Sequence, residues 1–82
     1  MSTLAALVMP LIEDAHRRHQ RDGRRGASWT VHHMTAIERE LFDQWLAEID
    51  HPLAQIAGTA EQRFLRLVDS LAADDCKRGL TA

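Results

Sequence analysis

The sequence predicts a small all-α domain built of three helices. Three segments carry apolar residues at the three-and-four spacing of a helix, and two of them begin with a capping-box pattern. The chain has 82 residues, of which 45% are hydrophobic and 27% charged, a balance typical of a globular domain and not of a disordered tail. We therefore expect residues 1–82 to form a single helical domain.

The first helix is expected over about residues 3–22. Its apolar stripe keeps one phase across Pro10, which predicts a single helix that bends where the proline removes a backbone hydrogen bond. A break at Met9 is the alternative. Gly23 supplies the left-handed stop at the end. The stripe consists of Leu4, Leu7, Val8, Leu11, Ile12 and Ala15.

The second helix is expected over about residues 35–50. Thr35 and Glu38 have the spacing of a capping box, in which each side chain accepts a hydrogen bond from the other residue's backbone amide. Trp45 occupies the centre of the apolar face and is predicted to be a core residue. That face consists of Ile37, Leu41, Phe42, Trp45, Leu46 and Ile49.

A short turn of helix over about residues 52–57 is predicted to follow, because Pro52 ends the second helix and Gly58 closes the turn. Thr59 and Gln62 then repeat the capping-box spacing. Apolar residues continue at helical spacing from Phe64 onward, which predicts a third helix over about residues 59–75.

A loop is expected over residues 23–34. It contains two glycines, an Arg24-Arg25 pair and Trp29, and loops of this length are uncommon unless they have a role. The residues from Ser28 to Val31 favour a strand, but a strand here would need a partner strand from another chain. Trp29 is expected either to cover the bundle or to project as an interface anchor.

Charge is unevenly distributed along the chain. The net charge is −2, yet residues 16–33 hold five arginines against Asp22 alone, a local charge of +4, so the rest of the chain carries −6. Guanidinium groups bind carboxylates and phosphates in a forked geometry, and an indole ring anchors interfaces or stacks on bases. The alternative is that three of the five arginines simply occupy the favoured end of a helix and the other two solvate the loop. We predict a partner-binding site made of Arg17, Arg18, Arg21, Arg24, Arg25, Trp29, His32 and His33.

Two Glu-x-x-His pairs have the spacing found in di-iron helical bundles, namely Glu13 with His16 and Glu48 with His51. On the helical wheel Glu13 lies about 200° and His16 about 140° from Leu11, so this pair is expected to face water. His51 lies beyond the predicted helix end.

The other histidines lack a fixed zinc-ligand spacing, and the chain has one cysteine and no nucleophile or glycine-rich phosphate motif. His19 is expected at the boundary of the apolar stripe. We expect no catalysis, no metal and no cofactor.

The expected function is that of a small, non-catalytic interaction protein, a regulator or inhibitor that binds a partner protein and associates as a homodimer. A chain this short has a thin stability margin, so a second copy would help. The unpaired Cys76 indicates a reducing cytoplasm, and the interrupted apolar run Leu4–Ile12 indicates neither a signal peptide nor a membrane span. The arginine- and alanine-rich composition is compatible with a phage or mobile-element protein. Binding of nucleic acid or a nucleotide and a metal-dependent bundle enzyme are the alternatives.

Overall fold

Four α-helices and one 3₁₀ helix make up the part of the chain that the structure describes. The structure is a computed structural model that describes the backbone of residues 3–81 and the side chains of residues 3–75. The helices are α1 (Thr3–Asp22), α2 (Arg24–His33), α3 (Ala36–Glu48), the 3₁₀ helix (Pro52–Gln55) and α4 (Ala60–Thr81). The prediction of an all-α domain is confirmed. No helix within residues 3–81 is long and apolar enough to cross a membrane.

Helix α1 runs without interruption through Pro10, as predicted, and the alternative of a break at Met9 is wrong. It ends where expected, because Gly23 adopts a φ of +74° and its backbone N–H donates to His19 O over 2.8 Å. Val8, Ile12 and Ala15 form its buried face. Leu7 was predicted to join this face, but it is half exposed.

The predicted loop over residues 23–34 is wrong, because Arg24–His33 form helix α2. The strand alternative for Ser28–Val31 is wrong for the same reason. Helix α2 buries Ala27, Thr30 and Val31 against the other helices. With Met34, which is also buried, these residues lie at helical positions i, i+3, i+4 and i+7, so one face of α2 points into the core.

Both capping boxes are confirmed. Thr35 Oγ1 accepts from the Glu38 amide over 3.1 Å, while the Thr35 amide donates to Glu38 Oε1 over 2.8 Å. The reciprocal pair of Thr59 and Gln62 has distances of 3.0 and 3.2 Å and begins α4 in the same way. Helix α4 continues to Thr81, past the predicted end near residue 75. The side chain of Cys76, on which the expected compartment depends, lies outside the described residues.

The core lies where all four α-helices meet. Phe42 of α3 and Phe64 of α4 pack edge to face with their ring centroids 5.0 Å apart. Trp45 is partly buried against this cluster, in line with its predicted core position. The two residues at the ends of the predicted apolar face of α3 are not buried. Ile37 is 69% exposed, and Ile49, the C-cap residue, is 46% exposed.

Candidate partner-binding site

A stack of three side chains joins α1 to α2 at the surface, and we call it the Trp29 stack. The guanidinium carbon of Arg18 lies 3.9 Å from the centre of the Trp29 indole, in cation–π geometry. The His33 ring lies against the indole at a centroid distance of 3.8 Å and an interplanar angle of 19°. Trp29 is nevertheless 46% exposed. The indole therefore has both faces occupied and presents its edge to solvent.

Asp14 holds the Arg18 end of this stack. Its Oδ2 accepts hydrogen bonds from Arg18 Nε over 2.9 Å and from the hydroxyl of Thr30 over 2.8 Å. The Thr30 hydroxyl bond is the main cause that lowers the pKa of Asp14, and Arg18 lowers it further, while partial burial opposes both. Asp14 therefore stays charged in the folded protein and fixes a long arginine side chain in one orientation.

Gly26 allows α1 and α2 to approach each other closely enough for this stack to form. It is buried, and a Cβ added there would lie 2.7 Å from the carbonyl carbon of Arg18, a backbone atom that cannot yield alone. The absence of a side chain at this position therefore sets the spacing of the two helices.

A pocket of about 530 Å³ opens beside the stack, and we call it the Trp29 pocket. Arg21 Nε is 3.0 Å from Asp22 Oδ2, an exposed pair of adjacent residues. Arg25 makes no side-chain hydrogen bond or ion pair with any residue whose side chain the structure describes. Three arginines against one aspartate give the lining a charge of +2. The lining residues are Arg18, Arg21, Asp22, Arg25, Gly26 and Trp29.

The structure does not bring the whole predicted arginine cluster together. Arg24 points toward α4, where its Nε lies 3.6 Å from Asp69 Oδ2, and it lines a separate, smaller pocket with Arg66. Arg17 is exposed, and its Nη2 makes only a long contact of 3.8 Å with Asp14 Oδ1. His32 is exposed outside the Trp29 pocket. Of the eight predicted residues, Arg18, Arg21, Arg25, Trp29 and His33 form one continuous site.

The histidines of α1 connect this helix to α4. His16 Nε2 lies 2.6 Å from Asp75 Oδ2, so the prediction that His16 faces water is wrong, although Glu13 is exposed as expected. His19 is partly buried 3.3 Å from Asp69 Oδ1, at the boundary where it was predicted. Among the residues that the structure describes, no group of three or more histidine, cysteine, aspartate or glutamate side chains has the geometry of a metal site.

His51 has a local structural role instead of a place in a Glu-x-x-His pair. Its Nδ1 accepts a hydrogen bond from the Leu53 amide over 3.0 Å and so caps the 3₁₀ helix.

Comparison with known proteins identifies no relative: no protein-family model, no curated protein and no solved structure matches the chain. Sequence reasoning missed the three residues that position the site, Asp14, Thr30 and Gly26. The signal for Thr30 was present, because Ala27, Thr30, Val31 and Met34 recur at helical spacing. Thr30, which donates to Asp14 from α2, lies 16 residues away from it, and sequence spacing alone does not indicate such a contact.

Proposed function

We propose that the protein is a non-catalytic interaction protein of the cytoplasm, a regulator or inhibitor that binds a partner protein through the Trp29 pocket and the exposed edge of the Trp29 stack. The observation that carries this proposal is the half-exposed indole held between Arg18 and His33 beside Arg25, which has no side-chain partner in the described part of the chain. Tryptophan and arginine contribute more to protein interfaces than most residues do, especially where they are rigidly held before binding.

The stack favours a protein partner over nucleic acid. A nucleobase binds tryptophan by lying on a free face of the indole, and both faces of Trp29 are occupied by Arg18 and His33. A base would have to displace one of them. The separation of Arg24 from Arg21 and Arg25 also divides the positive charge that a nucleic-acid backbone would contact as one surface.

A comparative pull-down tests the proposal. The wild-type chain and a Trp29→Ala, Arg25→Ala double variant are immobilised and exposed to lysate of the cells that produce the protein. We expect one protein to be retained at stoichiometric levels by the wild type and to be lost with the double variant, because truncating a central anchor costs more than about 2 kcal/mol of binding free energy.

The matched control is Arg66→Ala, which removes an exposed arginine on α4 outside the Trp29 pocket and should leave retention unchanged. Nuclease treatment of the lysate should also have no effect. A retained species that disappears with nuclease, or that binds the double variant as well as the wild type, would contradict the proposal.

A further inference from the structure

The charge of the Trp29 pocket indicates what kind of group it receives. We propose that the pocket binds a phosphomonoester carried by the partner, that is, a phosphorylated side chain of a peptide segment, next to the edge of Trp29. This inference rests on the proposed function, because it names the chemistry of the partner at the same site. It goes further in requiring a doubly charged group of compact size.

The first argument is the charge balance of the pocket. Arg18, Arg21 and Arg25 face Asp22 in a lining of charge +2. Behind the lining, Asp14 pairs with both Arg18 and Arg17, so including Asp14 and Arg17 leaves the local charge at +2. A phosphomonoester carries about −1.5 to −2 at neutral pH and offers three acceptor oxygens. A single carboxylate carries −1 and would leave one positive charge of the lining uncompensated. A phosphomonoester therefore matches the lining better than an aspartate or glutamate side chain does.

The second argument is the availability of the guanidinium groups. Arg25 has no side-chain partner among the described residues, and Arg21 pairs only with the adjacent, exposed Asp22. Both can turn toward a ligand without breaking a buried contact. Arg18 is fixed by Asp14 and Trp29, so it contributes a preset positive wall that requires no reorganisation.

The third argument separates a phosphopeptide from a nucleotide. A nucleotide would bring a base, and the two faces of the nearby indole are already covered. A peptide needs no stacking face and can pack apolar side chains along the indole edge. The open shape of the pocket, which lies at the surface between α1 and α2, admits an extended chain.

The proposal is tested by fluorescence titration of the 82-residue chain carrying Trp45→Phe, in which Trp29 is the remaining tryptophan. The probes are acetyl-Ala-Ala-phosphoserine-Ala-Ala-amide, the same peptide with serine, the same peptide with glutamate, and adenosine 5′-monophosphate. We expect the phosphopeptide to bind about tenfold more tightly than the glutamate peptide, because its second charge and third acceptor oxygen add contacts. The serine peptide should not bind measurably.

Variants assign the effect to the pocket. Arg25→Ala should weaken phosphopeptide binding about tenfold, because it removes charged hydrogen bonds to the phosphoryl oxygens. Arg66→Ala, placed on another face, should leave the affinity unchanged. Thermal unfolding midpoints measured alongside ensure that each variant is compared as a folded protein.

The outcomes separate this inference from the proposed function. The proposal of a phosphomonoester is overturned by any of three results: equal affinity for the phosphopeptide and the glutamate peptide, tighter binding of the nucleotide, or no binding at all. In the pull-down, a partner that depends on Trp29 and Arg25 but is retained equally after phosphatase treatment of the lysate also overturns it, while leaving the proposed function intact. Loss of the partner after phosphatase treatment supports both.

Discussion

At the scale of single residues, Asp14 shows how one partly buried carboxylate positions the side chains of the site. Its Oδ2 accepts hydrogen bonds from Arg18 of its own helix and from Thr30 of α2. Thr30 is buried, so its hydroxyl has this carboxylate in place of water. The contact therefore joins α1 to α2 and orients the arginine that lies on Trp29.

Asp14→Asn is expected to lower the free energy of unfolding by about 1 kcal/mol at pH 7, because charged hydrogen bonds are weakened and the site is partly screened by water. The pKa of Asp14 is lowered in the folded state, so its charge stabilises the fold above the ordinary value of 3.8, and this stabilisation disappears as the pH falls through the folded-state pKa. Urea unfolding of wild type and variant at pH 7 and pH 3 measures it. Glu13→Gln, which changes an exposed neighbouring residue, is the control. If Asp14→Asn lowers the free energy of unfolding by the same amount at pH 7 and at pH 3, the argument is contradicted.

Gly26 gives a second prediction at this scale. In an open helix, Gly26→Ala would stabilise the protein by up to about 1 kcal/mol, since alanine is the better helix former. Here the added methyl group meets the backbone of Arg18, so we expect destabilisation by about 1 to 3 kcal/mol in urea unfolding. The comparison is Gly23→Ala, which meets no atom within 4 Å but has a φ of +74° with a ψ of −158°, a region that essentially only glycine adopts. It should cost about 1 to 3 kcal/mol through backbone strain alone. Any stabilisation by Gly26→Ala would disprove the close approach.

At the scale of elements, the sequence was informative where helices begin and less so where two helices follow one another. The capping boxes at Thr35 and Thr59 predicted the starts of α3 and α4, because both hydrogen bonds of each box lie within four residues. Helix α2 was missed because a glycine, a tryptophan and the β-branched residues Thr30 and Val31 all have lower helix propensity than alanine. Burial of their common face by the other helices outweighs this preference.

The residues of the site were predicted from the sequence in part, but their arrangement was not. Arg18, Arg25 and Trp29 were recognised from local composition, but their arrangement depends on α2 being a helix. A loop would have left the orientation of these side chains open. As a helix, α2 places Trp29 and His33 one turn apart, which is the spacing that allows their rings to stack.

The corner between α3 and α4 is held by Arg63, which gives a prediction about elements. Its guanidinium forks onto both carboxylate oxygens of Asp43 over 2.8 Å and also donates to the carbonyl oxygens of Ile56 and Gly58. The Asp43 hydrogen bonds raise the pKa of Arg63, so the group is charged at every accessible pH. Its contacts span α3, the end of the 3₁₀ helix and α4.

Arg63→Met should lower the free energy of unfolding by about 2 kcal/mol, because it leaves a carboxylate and two carbonyls without their donor. Arg63→Lys should cost less, since it keeps the charge but loses the fork. The matched control, Arg66→Met, changes an exposed arginine one turn along the same helix and should stay within about 0.5 kcal/mol. Equal effects of the changes at positions 63 and 66 in chemical denaturation would show that the corner does not depend on this contact.

At the scale of the whole molecule, several exposed aliphatic side chains lie outside the Trp29 pocket. Arg18, Arg21 and Arg25 line the Trp29 pocket, whereas Asp69 and Asp75 of α4 pair with side chains of α1 and α2 on another part of the surface. The core is closed by all four α-helices, yet Leu7, Ile37 and Ile49 remain exposed on other parts of the surface. The positive site and these exposed aliphatic side chains can therefore serve different contacts.

Self-association remains a prediction at this scale, and Ile37 is the residue that tests it. It is the second residue of α3 and has 69% of its surface exposed, and burying such a side chain in a second copy would contribute about 1.5 to 3 kcal/mol per protomer. Sedimentation equilibrium from 1 to 100 μM should show dimer growing with concentration, and Ile37→Ser should shift the population to monomer, while Ala47→Ser on an exposed position of the same helix should not. Because Ile37 lies outside the lining of the Trp29 pocket, Ile37→Ser should leave phosphopeptide binding unchanged. A chain that is monomeric at every concentration would remove the dimer without affecting the binding site, since Ile37 is not among the residues that line the Trp29 pocket.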